Sequence, residues 1–162
     1  MALHRIEKGL DLPIAGTPIQ VVRERVRPHR IALMADDFPG MKPAMRVAEG
    51  DVVKRGQVLF EDRKTPGVLH TAAGAGRIIG IHRGARRALQ SIVIDLSPAE
   101  REAARPADLP AAEQVSFASY TGRPAETLGR DEVRALLVES GQWTALRTRP
   151  GRCSGRSLSA RR

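Results

Sequence analysis

The chain has 162 residues, a formal net charge of +9, 3% aromatic residues and one cysteine, Cys153. Leu, Ile, Val and Phe make up about 23% of it, just above the roughly 20% level below which charged chains tend to stay disordered. One modest aliphatic core is therefore allowed, whereas an internal disulfide and a Cys-rich zinc or iron–sulfur cage within the chain are excluded.

No stretch approaches the roughly 18 apolar residues of a membrane span, and the first 25 residues carry no apolar run of signal-peptide length. The expectation is a soluble, cytoplasmic chain, with membrane attachment through a partner left open. Arg outnumbers Lys 23 to 4, and the last twelve residues supply four Arg and no acid, so residues 1–150 carry only +5. With so few rings for base stacking, nucleic acid is not an expected partner.

In chain order, Gly9, Pro13, Gly16, Pro18 and Pro28 punctuate residues 1–30 and argue against a long helix there. Short β-leaning pieces such as Ile19–Val22 fit better. Ile31–Ala35 is a compact apolar run, followed by a turn-rich bend, Phe38-Pro39-Gly40-Met41-Lys42-Pro43. From Val47 onward, short β-favouring runs recur at Val52-Val53, Val58–Phe60, Val68–Thr71, Arg77–His82 and Ser91–Leu96, with glycines between or inside them. That spacing predicts a small barrel or sandwich over 31–97 and leaves no room for crossover helices. A glycine–aliphatic–glycine–aliphatic order at Gly50–Leu59 is echoed over Gly74–Leu96, as two similar strand sets folded over one another would require.

Residues 97–112 hold six Ala and three Pro, the composition of a linker or poorly packed connection. Beyond it, Val115–Tyr120 reads as a strand. Asp131 reads as the cap of a helix with Val133, Leu136 and Leu137 on one face, ending at Gly141. The expected organisation is 1–97 as the β domain, 98–112 as an Ala/Pro linker, 113–150 as the start of an α/β unit and 151–162 as a basic tail.

Candidate chemistry is sparse. Gly74, Gly76 and Gly80 miss the dinucleotide-loop spacing, because the third glycine would fall at Ile79. His4, His29, His70 and His82 have no second His or Cys at ligand spacing. Adjacent carboxylates at Asp36-Asp37 and Glu61-Asp62 point to opposite faces if they lie on strands, which works against paired acid–base chemistry. Lys64, at the tip of the hairpin between Val58–Phe60 and Val68–Thr71, is the one side chain placed where a biotin or lipoyl arm could attach. An ordinary solvated turn lysine accounts for it more simply. No catalytic group and no metal ligand is assigned.

The segment Val47–Phe60 resembles the first half of biotinyl/lipoyl-like domains. In those domains the acceptor lysine follows Asp or Met, whereas Lys64 follows Arg63. A second resemblance spans about 150 residues in five ordered blocks: Lys8–Gly16, Gly40–Pro43, Val58–Val68, Arg83–Ser91 and Glu139–Pro150. These are similar to the A subunit of the sodium-translocating NADH:quinone reductase. The resemblance implies a barrel-sandwich hybrid, lipoyl-like domain without covalent lipoate or biotin. It also implies a peripheral subunit on the cytoplasmic side of the bacterial inner membrane. The other subunits are the implied partners and carry the flavins and iron–sulfur centre that pass electrons from NADH, with ubiquinone a candidate contact. Thr71–Gly76 lacks the proline common before the second half of such barrels. Two alternatives share the scaffold: a lipoyl/biotinyl-like carrier or docking domain modified on Lys64, and the C subunit of the related Rnf electron-transport complex. The resemblance stops after Pro150, where the Gly/Ser/Arg-rich tail begins, so a frameshift or truncation is expected there. Leu136, Leu137 and Trp143 would then face a second domain that is mostly missing.

Overall fold

A computed structural model describes residues 15–17, 19–21 and 26–146. Seven short strands make two antiparallel sheets. They are β1 (Arg30–Met34), β2 (Pro43–Met45), β3 (Val52–Val53), β4 (Val58–Asp62), β5 (Leu69–Thr71), β6 (Gly76–Arg83) and β7 (Leu89–Leu96). One sheet runs in the order β1-β7-β6-β3 and the other β2-β4-β5. Every named strand pair is antiparallel; short connections join β4 to β5 and β6 to β7, whereas β1–β7, β2–β4 and β3–β6 pair strands that are not consecutive in the chain. The result is mainly β, with the two sheets curled over a shared core.

The core comes from both sheets. Leu59 and Phe60 of β4 are fully buried against Ile78 of β6 and Ile92 and Ile94 of β7, with Val53 and Ala72 closing the ends. Burying each of the larger side chains contributes about 1.5–3 kcal/mol. Leu59 and Phe60 are neighbours, so strict alternation would expose one of them. The β4–β5 register shifts between Val58 and Phe60, and this irregularity lets both turn inward. Gly76 serves a different need: a Cβ there would lie 2.1 Å from the Asp95 carbonyl oxygen, so only glycine lets β6 and β7 approach at this point.

The expected runs over 31–97 are observed with two differences. Pro43, the last residue of the expected bend, opens a further strand, β2, with Ala44 and Met45; a proline can open a strand because its missing N–H falls before the ladder begins. Val47 lies outside any strand, the last link on that side being Arg46 N–H to the Leu59 carbonyl at 2.9 Å. Further upstream, residues 19–21 carry no strand, and Val22 is outside the described residues.

Residues after β7 do not hang loose. Ser97 caps a short helix, α1 (Pro98–Glu102), by accepting the Glu100 amide at 3.1 Å, with Pro98 in the first turn. Glu100 then turns back into the barrel to bind Arg55 and the Ala75 amide, the latter at 3.0 Å, and Leu109 is also buried. The Ala/Pro-rich connection is thus packed on the β sheets.

Val115–Tyr120 is not a strand. Val115 N–H bonds the Arg55 carbonyl at 2.9 Å, beside a single parallel bridge between Arg55 and Gln114. The amides of Ala118 and Ser119 go instead to the Glu139 carboxylate, each at 2.8 Å. β propensity without a neighbouring strand edge yields an extended loop. The helix α2 (Arg130–Glu139) begins one residue ahead of the expected cap. Gly129 holds that position, its amide bonded to Glu132 at 2.8 Å, and Asp131 sits in the first turn. Gly141 ends α2 in the left-handed conformation, φ 77°. It packs against Thr71 and Leu69 of β5, and Thr71 Oγ1 donates to the Ser140 carbonyl at 2.8 Å. This docking leaves Leu136, Leu137 and Trp143 half-buried.

Candidate functional site

Lys64 lies on the β4–β5 loop, where its ε-amine donates to the Gly40 carbonyl in the Phe38–Pro43 bend. Its backbone is held too, since Asp62 Oδ1 accepts the Lys64 amide at 3.0 Å and the Lys42 amide at 2.9 Å. The lysine is therefore a strut between loop and bend. Glu61 and Asp62 engage separate partners. Glu61 bonds the Gly67 amide and Arg46 at the surface, and these two, the Gly67 bond foremost, lower its pKa. Asp62 is buried, and its carboxylate is committed to the two backbone amides just named.

His70 is 3% exposed. Its ring stacks on Phe60 at 4.3 Å between centroids and meets Phe38 edge-on at 4.5 Å. Burial pushes its pKa down to about 4, against the opposing pull of the Asp62 charge. It is a neutral core histidine at ordinary pH. His29 and His82 are exposed, and among the described residues no three His, Cys, Asp or Glu side chains converge to hold a metal. His4 and Cys153 lie outside the described residues. Gly74 and Gly80 are packed against Leu96 and the His82 ring respectively, so they serve close approach between side chains and strands.

The concave feature that gathers charge was not singled out from the sequence. A groove of about 770 Å³ runs between the Ala35–Pro43 bend, Arg63 of the β4–β5 loop and the β6–β7 turn. Lys42, Arg63, Arg83, Arg86 and Arg87 line it, against one carboxylate, Asp36. Phe38, Met41 and Leu89 form its apolar part. Arg86 (φ 55°, ψ 27°) and Arg87 (φ 60°) are the only non-glycine residues with positive φ among the described residues. They occupy the two central positions of a tight turn closed by Ala88 N–H to the Ala85 carbonyl at 3.1 Å. A turn of this type I′ geometry favours Asn-Gly, and the left-handed conformation costs an ordinary side chain about 1–2 kcal/mol. Arg83 braces the turn by donating to the Arg87 carbonyl at 3.2 Å. One signal for this site was present in the sequence: two adjacent arginines as the turn residues between two β runs.

A second cavity, of about 430 Å³, lies beside Arg55, Gly74, Leu96 and Glu100. The Arg55–Glu100 ion pair, with Glu100 buried and Arg55 partly exposed, forms one wall, and Arg101 reaches Asp95 at 3.2 Å nearby.

Two curled antiparallel sheets sharing one core, with an exposed hairpin loop and with the chain passing between the sheets without crossover helices, define a barrel-sandwich hybrid domain. Residues 4–97 match the model of the NqrA N-terminal barrel-sandwich hybrid domain, and the chain belongs to that family. It is similar to the A subunit of the Na(+)-translocating NADH-quinone reductase of Alcanivorax borkumensis, 48% identical over 146 residues. The subunits of the same name from Haemophilus influenzae and Pasteurella multocida are 47% and 48% identical over 145 residues. Each alignment covers 90% of this chain, and the chain spans 30% of the length of the first two relatives. No helix among the described residues is long and apolar enough to cross a membrane.

Proposed function

We propose that this chain serves as the N-terminal, docking part of the A subunit in a sodium-translocating NADH:quinone reductase. The observation that carries the reading is the 47–48% identity to subunits of that name over 90% of the chain. On this reading it is a peripheral component on the cytoplasmic side of the bacterial inner membrane. Its partners are the other subunits, and the complex moves electrons from NADH to ubiquinone while exporting sodium. The flavins and iron–sulfur centre belong to those partners. On this reading the barrel-sandwich unit ends near residue 97, and a second unit opens near residue 113, of which the described residues hold α2 and no strand. The chain's own contribution is shape and charge, with Lys64 unmodified because its amine is engaged as a strut with Gly40.

The test is co-purification. A tagged copy expressed in a bacterium that carries the complex should bring the other subunits and NADH-dependent quinone reduction out of solubilised membranes. Recovery of the tagged chain alone would count against the proposal. Intact mass, from a host able to add both groups, should show no biotin or lipoyl increment; such an increment would instead support the carrier alternative.

A further inference from the structure

We propose that the groove between the Ala35–Pro43 bend and the β6–β7 turn is a binding site for a phosphate-bearing ligand. The phosphate or diphosphate group would face Arg86 and Arg87, and the attached apolar part would lie along Phe38, Met41 and Leu89. This does not depend on membership of the reductase complex.

Three independent observations meet at this place. The first is the charge left unmatched. Arg30, Arg46, Arg55, Arg101, Arg105 and Arg123 each form an ion pair with a carboxylate. The five cations that line the groove enter no ion pair among the described residues, and they share a concave wall with one acid, Asp36. Like charges held together repel, so the arrangement is favourable only when an anion sits among them.

The second is backbone conformation. Two consecutive arginines hold the left-handed geometry that Asn-Gly would adopt at lower cost. Residues kept in such conformations concentrate where side-chain placement is used, and here the turn carries both guanidinium groups at the groove. Guanidinium groups suit phosphate because their forked donors match its oxygens in pairs.

The third is rigidity. Asp62 fixes the amides of Lys42 and Lys64, Lys64 pins Gly40, and Arg83 braces Arg87, so both sides of the groove are tied to the barrel. A preformed cationic wall loses less freedom on binding than a mobile one. The apolar floor separates this site from a simple counter-ion patch and suits a ligand with an organic body. The single aromatic ring, Phe38, is too little for a single-stranded nucleic acid track.

The experiment titrates the full chain with inorganic pyrophosphate by calorimetry and by amide chemical shifts. In parallel it is floated with vesicles of phosphatidylglycerol in phosphatidylcholine, against phosphatidylcholine alone. Two variants are compared: Arg86→Asn with Arg87→Gly, which suits the turn, and Lys42→Gln with Arg63→Gln on the opposite wall. Thermal melts confirm that each is folded. The expected result is saturable binding that maps to residues 38–43 and 83–89 and weakens at least about tenfold in both variants. Pyrophosphate binding would identify a free phosphate ligand, and vesicle binding alone a lipid headgroup; both support the site. Binding unchanged in the two variants would overturn it, because the chain's general positive charge would then be responsible. Capture of a hexaglutamate peptide without either phosphate probe would also overturn it, in favour of an acidic protein segment.

Discussion

Replacing His70 with Phe should flatten the acid side of the stability profile. The imidazole is 3% exposed, packed between Phe38 and Phe60, and its pKa is lowered from 6.5 to about 4. A depressed histidine pKa means that the unfolded chain takes up a proton which the folded chain refuses. The contribution is fully present above about pH 6.5, falls as pH drops toward 4, and levels off below that. Each pH unit inside the window is worth about 1.4 kcal/mol, so wild type should lose about 2 kcal/mol between pH 7 and pH 5 from this residue. Urea unfolding followed by circular dichroism at pH 7, 6 and 5 measures it. The loss in wild type should exceed the loss in His70→Phe by about 2 kcal/mol, whatever the absolute stability of the variant. Parallel pH profiles would refute the assignment of a buried neutral imidazole. Carboxylates interfere little above pH 5: Glu61 and Glu139 are held below their usual range, mainly by bonds from Gly67 and Ser119, and that contribution is lost only as pH falls below the ordinary carboxylate value of 4.5.

The turn at Arg86-Arg87 yields a prediction of opposite sign: exchanging the pair for Asn-Gly should raise stability by about 1 kcal/mol, read as a higher melting midpoint. An unchanged or lower midpoint would mean that the left-handed conformation carries no strain. Gly76→Ala should cost about 3 kcal/mol or more, because its methyl would overlap the Asp95 carbonyl and force β6 from β7; chemical denaturation with little change in midpoint would contradict that geometry. Glu100→Ala should cost about 2–3 kcal/mol, leaving the Ala75 amide and half-exposed Arg55 without their carboxylate. Amide exchange at Ala75 should accelerate in that variant, and unaltered protection there would argue against the link.

Legibility from sequence followed the range of the forces involved. The runs Val52-Val53, Val58–Phe60 and Ser91–Leu96 announced strands because alternation, β-branching and glycine punctuation are local properties. Their brevity of connection also announced an antiparallel barrel. Val115–Tyr120 looked the same locally and failed, because a strand needs an open edge and Glu139 had already taken the Ala118 and Ser119 amides. The Ala/Pro segment looked loose because nothing nearby in sequence reveals that Glu100 will find Arg55, 45 residues earlier.

The functional reading divides along the same line. Motif blocks such as Arg83–Ser91 and Glu139–Pro150 carried the family resemblance without any coordinates. Composition alone limited the chain to a small aliphatic core with a surplus of arginine. The basic groove was decided by tertiary structure: Lys42, Arg63, Arg83, Arg86 and Arg87 come from three separate segments that only the curled sheets bring around one concavity. The same holds for His70, whose neutrality depends on being enclosed by Phe38 and Phe60. Sequence determines which groups a chain owns and which short elements they favour. Burial and proximity, which set what those groups can do, arise only when distant segments share one core.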